Sequence, residues 1–115
     1  MPPTLGDRLI HILEAIKSIQ EILADNNQEQ IAANRMLRLA LERLFEIVCE
    51  ASRHVPADIM VTETEIDWRR MANLGNILRH TYHRVDIARL AAIAEQDLPP
   101  LKNFVERILR EEQKR

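Results

Sequence analysis

Apolar residues recur every three or four positions near the start of the chain. This spacing predicts a single apolar stripe along one helix, from about Thr4 to Ala24. The hydroxyl of Thr4 can cap that helix, and the polar stretch Asp25-Asn26-Asn27 is expected to end it. The residues of the stripe are Leu5, Leu9, Ile12, Leu13, Ile16, Ile19 and Leu23.

A second periodic series begins at Ala33 and continues to Val55, with charged residues on the opposite side. It predicts a second long helix, which Pro56 closes because proline cannot continue a helix. The segment from Ala57 to Asp67 has no such period and is expected to form a loop.

Three more helices are predicted in the second half of the chain. One extends from about Asp67 to His80 or slightly beyond, and a turn at Val85-Asp86 leads into a short helix from Ile87 to Ala94. The last begins at Leu98-Pro-Pro-Leu101, where proline suits the first helical turn. Long helices with short connections predict an antiparallel bundle of four or five helices.

Composition agrees with this all-α prediction. Among 115 residues there are only two Gly, and aromatic residues make up 3%, which disfavours a strand-rich fold. The length fits one domain, residues 1–115. The lone Cys49 cannot form an intrachain disulfide, and no signal peptide or membrane-spanning run is apparent, so a cytoplasmic protein without membrane contact is expected.

Charge is distributed unevenly along the chain. The formal net charge is −2, yet the stretch from Arg69 to Arg89 contains five Arg and one acidic residue, Asp86. A basic patch on an acidic molecule is therefore expected, and such a patch is typical of a surface that binds phosphate.

The predicted third helix divides into an apolar face and a face rich in hydrogen-bond donors. The second face contains Arg69, Asn73, Asn76 and His80. Asn76 lies one turn before His80 and can orient its imidazole. An ordinary solvated surface is one explanation of this face. Asn is a poor helix former, however, and a face without carboxylates suits an anion such as phosphate.

Three kinds of chemistry are conceivable here. A metal site is disfavoured because His80 and His83 have no acidic or Cys partner on that face. Nucleophilic catalysis is disfavoured because Cys49 lies in another helix without a recognisable partner. His together with Arg, without a metal, instead suits RNA cleavage in which a ribose 2′-hydroxyl attacks its own phosphodiester.

Several short segments together resemble the HepT-like branch of the HEPN superfamily, and the likeness extends from Asp7 through Leu101. It implies a dimeric all-α bundle that acts as a metal-independent ribonuclease toxin without a cofactor and is neutralised by a minimal nucleotidyltransferase (MNT) antitoxin. The segments are Ile47-Val-Cys-Glu-Ala51, Ile66-Asp-Trp68-Arg69, Asn76-Ile-Leu-Arg-His80-Thr-Tyr82, Val85-Asp86 and Asp97-Leu-Pro-Pro-Leu101.

The resemblance also implies roles for single residues. His80 matches the family's catalytic His, Asn76 matches a neighbouring family Asn, and Tyr82 matches the Tyr that the antitoxin modifies with AMP. Gly75 stands where the family has Arg, so Arg79 is expected to stabilise the transition state instead.

The expected contacts to RNA phosphates are Arg69 and, if the helix continues past His80, His83 and Arg84, which then share the donor-rich face with His80. Two alternatives to a nuclease remain. Because of Gly75, the chain could be a catalytically degenerate partner of the nucleotidyltransferase. It could also be a structural helical dimer with no nucleic-acid role.

Overall fold

The computed structural model describes residues 2–80 and 85–114, which contain helices and turns but no strand. The predicted all-α class is therefore confirmed. The five long helices lie where the pattern predicted them, and two short helices are added. The helices are α1 (Leu5–Asp25), α2 (Gln28–Ala33), α3 (Arg35–Ser52), α4 (Ala57–Met60), α5 (Trp68–His80), α6 (Ile87–Gln96) and α7 (Leu98–Gln113).

Helix α1 begins and ends close to the predicted residues. The Thr4 hydroxyl accepts a hydrogen bond from the Asp7 backbone N–H, and the Asp7 carboxylate accepts one from the Thr4 N–H. This reciprocal capping satisfies two donors that the first turn would otherwise leave unpaired. The stripe residues Ile12, Ile16 and Ile19 are fully buried.

The predicted second helix begins at Arg35, later than expected, because Ala33 belongs to the short helix α2, which was not predicted. Asn34 adopts an extended backbone between α2 and α3, and its side chain accepts a hydrogen bond from the Leu37 N–H. An Asn side chain that bonds to nearby backbone competes with helix continuation. The buried Arg38 then spans the break, because its Nη1 donates to the carbonyl of Ala32 at 3.0 Å.

The predicted loop from Ala57 to Asp67 contains a single helical turn, α4. Helix α3 ends at Ser52, before Pro56, and the Ser52 hydroxyl donates to the Val48 carbonyl. Proline at position 56 then begins a new turn, since its fixed φ suits a helix start.

Helix α3 packs against both α1 and α5, and α7 covers another side of α1. Phe45 and Val48 of α3 are fully buried in the core that these helices share. The chain's only tryptophan, Trp68, meets Phe104 of α7 edge to face, with ring centroids 5.7 Å apart. None of the described helices is long and apolar enough to cross a membrane.

Candidate functional site

Helix α5 separates buried from exposed residues as the pattern predicted. Met71, Leu74 and Leu78 are buried, whereas Asn76 and His80 are exposed. Asn76 and His80 are one turn apart and therefore share a side of the helix. Within the described residues, their side chains do not hydrogen-bond to each other, so the expected orientation of the imidazole by Asn76 is not seen.

Arg79 points away from this face and toward α3. Its Nη1 lies 3.2 Å from Oε2 of Glu50, and the same oxygen accepts from Arg53 at 3.1 Å. The other carboxylate oxygen of Glu50, Oε1, lies 3.5 Å from Nε2 of His54. Burial acts to raise the pKa of Glu50, but Arg53, His54 and Arg79 together outweigh it, and the pKa is lowered. Glu50 is therefore a charged carboxylate when it pairs with the guanidinium of Arg79.

Sequence reasoning did not find Glu50. It treated the donor-rich face as free of carboxylates, which holds for α5 itself but not for the helix beside it. Glu50 and Arg79 are 29 positions apart, and only the packing of α3 against α5 brings them together. No local spacing in the sequence could have indicated this pair.

Gly75 is buried where α5 crosses α3. A Cβ atom added at this position would lie 2.8 Å from Cβ of Cys49, closer than real side chains approach. It would also lie 3.8 Å from Nη1 of Arg79. Gly75 therefore allows the close contact of the two helices, and the Arg79 guanidinium reaches back beside the position where the resemblance leads one to expect an Arg.

Cys49 is fully buried beneath this contact. Burial raises the pKa of its thiol to about 12, and the nearby charge of Arg79 lowers it only in part. A thiol with such a pKa is almost entirely protonated at neutral pH, so Cys49 is a packing residue and not a nucleophile.

Of the remaining predicted residues, the structure describes only Arg69. Arg69 is exposed near the start of α5, about 16 Å along the helix axis from His80. Tyr82, His83 and Arg84 lie outside the described residues. In residues 2–80 and 85–114, no three His, Cys, Asp or Glu side chains form a group that could hold a metal ion.

The family model described as ribonuclease HepT-like matches residues 12–108, which is most of the chain. The chain belongs to the HepT-like ribonuclease family.

Two relatives illustrate the match. A Methanocaldococcus jannaschii protein, named as an RNase by inference, is 35% identical over 98 residues, covering 85% of this chain and 90% of the relative. A Thermococcus cleftensis protein, named by inference as ribonuclease HepT, is 34% identical over 102 residues, covering 89% and 93%. No solved structure is significantly similar to this chain.

Proposed function

We propose that this chain is a toxin-type, metal-independent endoribonuclease of the cytoplasm. The observation that carries the proposal is the exposed His80, preceded in the chain by Arg79, whose guanidinium turns toward α3 and lies 3.2 Å from Glu50. An exposed imidazole and an anchored cation on adjacent residues supply a proton-transfer group and a phosphate-binding group. Membership in the HepT-like ribonuclease family supports the same reaction class.

The proposed reaction is an intramolecular transesterification. His80 removes the proton of a ribose 2′-hydroxyl, and the 2′-oxygen attacks the adjacent phosphorus while the bond to the 5′-oxygen breaks. The leaving 5′-oxygen takes up a proton from water, and the His80 imidazolium returns its proton to the hydroxide that remains, which gives a 2′,3′-cyclic phosphate and a 5′-hydroxyl. Arg79 stabilises the charge that develops on the phosphoryl oxygens, and Asn76 orients the reacting group.

The RNA contacts and the modification form a second part of the proposal. Arg69, His83 and Arg84 bind backbone phosphates on either side of the reacting one. Tyr82, two residues after His80, is the residue to which the MNT-type nucleotidyltransferase antitoxin transfers AMP. The added negative charge and bulk would exclude RNA phosphate from the site. An increase in intact mass by AMP units on co-expression with the transferase tests this role.

A homodimer completes the proposed active unit. A single His80 with one Arg79 is a sparse site, whereas a twofold axis near α5 would bring two copies of each into one cleft. The mass of the protein in solution, measured by light scattering, tests the dimer directly.

The nuclease is tested by RNA cleavage with and without EDTA. We expect the wild type to cleave in both conditions and His80→Ala to lose activity by roughly 100-fold or more, because general acid–base groups contribute about that much. Arg35→Ala is the control, since Arg35 is exposed at the far end of α3. Equal cleavage by the wild type and His80→Ala would remove the catalytic role.

A catalytically degenerate partner of the nucleotidyltransferase is the second candidate, and the buried Gly75 favours it. The tight contact with Cys49 leaves no room for an Arg at this position without moving α5 from α3. If the purified wild type cleaves no RNA but co-purifies with the transferase, this second function replaces the first.

A further inference from the structure

A basic cleft of about 360 Å³ opens beside α3, between α1 and the end of α5. Arg8 and His11 line it from α1, Arg43 and Arg53 line it from α3 and the residue after it, and Arg79 lines it from α5. This volume lies in the range of small-molecule sites. The chain as a whole has a formal net charge of −2, so this group of cationic side chains differs in sign from the molecule that carries it.

The two carboxylates in the cleft are already neutralised by neighbours. Glu46 forms an ion pair with Arg43 at 2.8 Å. Glu50 forms pairs with Arg53 and Arg79, as described above. Four Arg and one His thus face two Glu, and the cleft as a whole attracts anions.

Of the cationic groups that line the cleft, those of α1 are the most available to bind an anion. Arg8 and His11 are three residues apart and so lie on one side of the helix. Neither forms an ion pair or a side-chain hydrogen bond with another residue in the described ranges 2–80 and 85–114. Hydrogen bonds with Thr4 are the main reason why the pKa of Asp7 is lowered, and the nearby His11 adds a smaller effect.

Arg79 connects this cleft to the proposed active site, because it lines the cleft and directly precedes His80 in α5. A single strand whose reacting phosphate lies at His80 can therefore pass the Arg79 guanidinium and continue toward α1. Guanidinium groups match the geometry of phosphate oxygens, which favours a nucleic-acid backbone as the ligand of the cleft.

We propose that Arg8 and His11 bind a backbone phosphate of the RNA strand that extends from the reacting site into this cleft. The proposal rests on the proposed function, because RNA is taken as the ligand. It adds α1 to a binding surface that the sequence had indicated only on α5 and the residues that follow it.

The test measures binding of a fluorescently labelled single-stranded RNA to the full chain carrying His80→Ala, which prevents cleavage. Adding Arg8→Ala and His11→Ala is expected to weaken binding about tenfold at low salt. The slope of log affinity against log salt should become shallower by roughly 0.7 for each RNA phosphate that the protein no longer neutralises.

Arg35→Ala in the same background is the matched control. Arg35 is exposed and begins α3, about 22 Å along the helix axis from Glu50. Its substitution takes one positive charge from the chain without touching the cleft, and RNA affinity should change less than twofold. Light scattering on every variant shows whether its oligomeric state has changed.

Each outcome decides the proposal. Unchanged RNA affinity in the Arg8 and His11 variant overturns it, as does weaker binding that appears only with a changed oligomeric state. If affinity falls as expected but the wild type cleaves no RNA, the cleft binds RNA and the nuclease proposal fails alone. If the wild type cleaves and the cleft variant binds normally, the cleft proposal fails alone.

Discussion

The two sides of α5 obey different constraints. On the inner side, Gly75 lies so close to Cys49 that a single methyl group would force α5 and α3 apart. On the outer side, Asn76 and His80 are exposed and form no hydrogen bond between their side chains. Packing determines the residue type on the inner side, whereas no contact among the described residues requires Asn or His on the outer side.

This contrast separates residues that hold the fold from residues available for chemistry. Arg79 joins the two sides, since it is partly exposed yet tied to Glu50 of α3. Substitutions on the inner side should therefore change stability, substitutions on the outer side should change activity, and substitutions at the Glu50–Arg79 pair should change both slightly.

The reactivity of Cys49 gives the largest expected effect. Raising the thiol pKa from 9.0 to about 12 lowers the thiolate fraction at neutral pH by about a thousandfold. Labelling of the native protein by a thiol reagent should accordingly be slower by at least that factor than labelling in denaturant. Rapid labelling without denaturant would show that the inner side of α5 is not tightly packed.

Gly75→Arg should produce the largest change in stability. The new side chain has to displace α5 from α3, and overpacking of this kind costs about 2 kcal/mol or more. Urea unfolding measures the decrease, and introducing at position 75 the Arg that the resemblance implies should not increase cleavage.

Gly6→Ala is the matched control for Gly75→Arg. A Cβ at position 6 would lie 3.4 Å from a carboxylate oxygen of Glu112, the movable end of a flexible side chain. We expect a gain of a few tenths of a kcal/mol, since alanine suits a helix better than glycine. A loss of stability similar to that of Gly75→Arg would mean that position 75 is not special.

Glu50→Gln should have a smaller effect on stability. The pair with Arg79 is partly exposed, so removing it costs less than about 1 kcal/mol. Because the pKa of Glu50 is lowered in the folded state, its contribution is present above the unfolded pKa and disappears as pH falls through the folded pKa. The variant should therefore lose less stability on acidification, as measured by thermal unfolding between pH 7 and pH 3.

Cleavage provides a second readout for Glu50→Gln. A guanidinium without its anchor is less well placed for phosphate, so activity should fall severalfold. Full activity in this variant would show that Glu50 does not position Arg79 for the reaction.

Asn76→Ala is expected to have a small effect on stability and, like Gly6→Ala, to raise it. Alanine is the better helix former, so the free energy of unfolding should rise by about 0.5 kcal/mol while RNA cleavage falls. A loss of stability would mean that Asn76 holds the fold, and unchanged cleavage would remove its proposed role.

The sequence predicted the long helices well but missed the two short helices, α2 and α4. The apolar period placed α1 and α5 within about a residue of their bounds, because burial of one stripe dominates helix position. The break at Asn34 was missed because apolar residues continue on both sides of it. At the break, the Asn34 side chain accepts a hydrogen bond from the Leu37 N–H. The spacing of apolar residues does not reveal a bond of this kind.

The exposed side of α5 could be predicted from the angular positions of its residues around the helix axis. The residues of other helices that contact α5 could not. The partner of Arg79 depends on how closely two helices approach, and that distance depends on Gly75. From the sequence, Gly75 was interpreted only as the absence of an expected Arg. Its role in packing depends on the contact with Cys49 of α3, which only the structure shows.

The position of the chain's single tryptophan has a practical consequence. Trp68 begins α5, the helix that carries His80, and its ring rests edge-on against Phe104. Its fluorescence therefore reports, without any added dye, whether the first turn of α5 remains seated in the core. The same optical signal can follow unfolding of every variant and reveal whether RNA binding disturbs the helix.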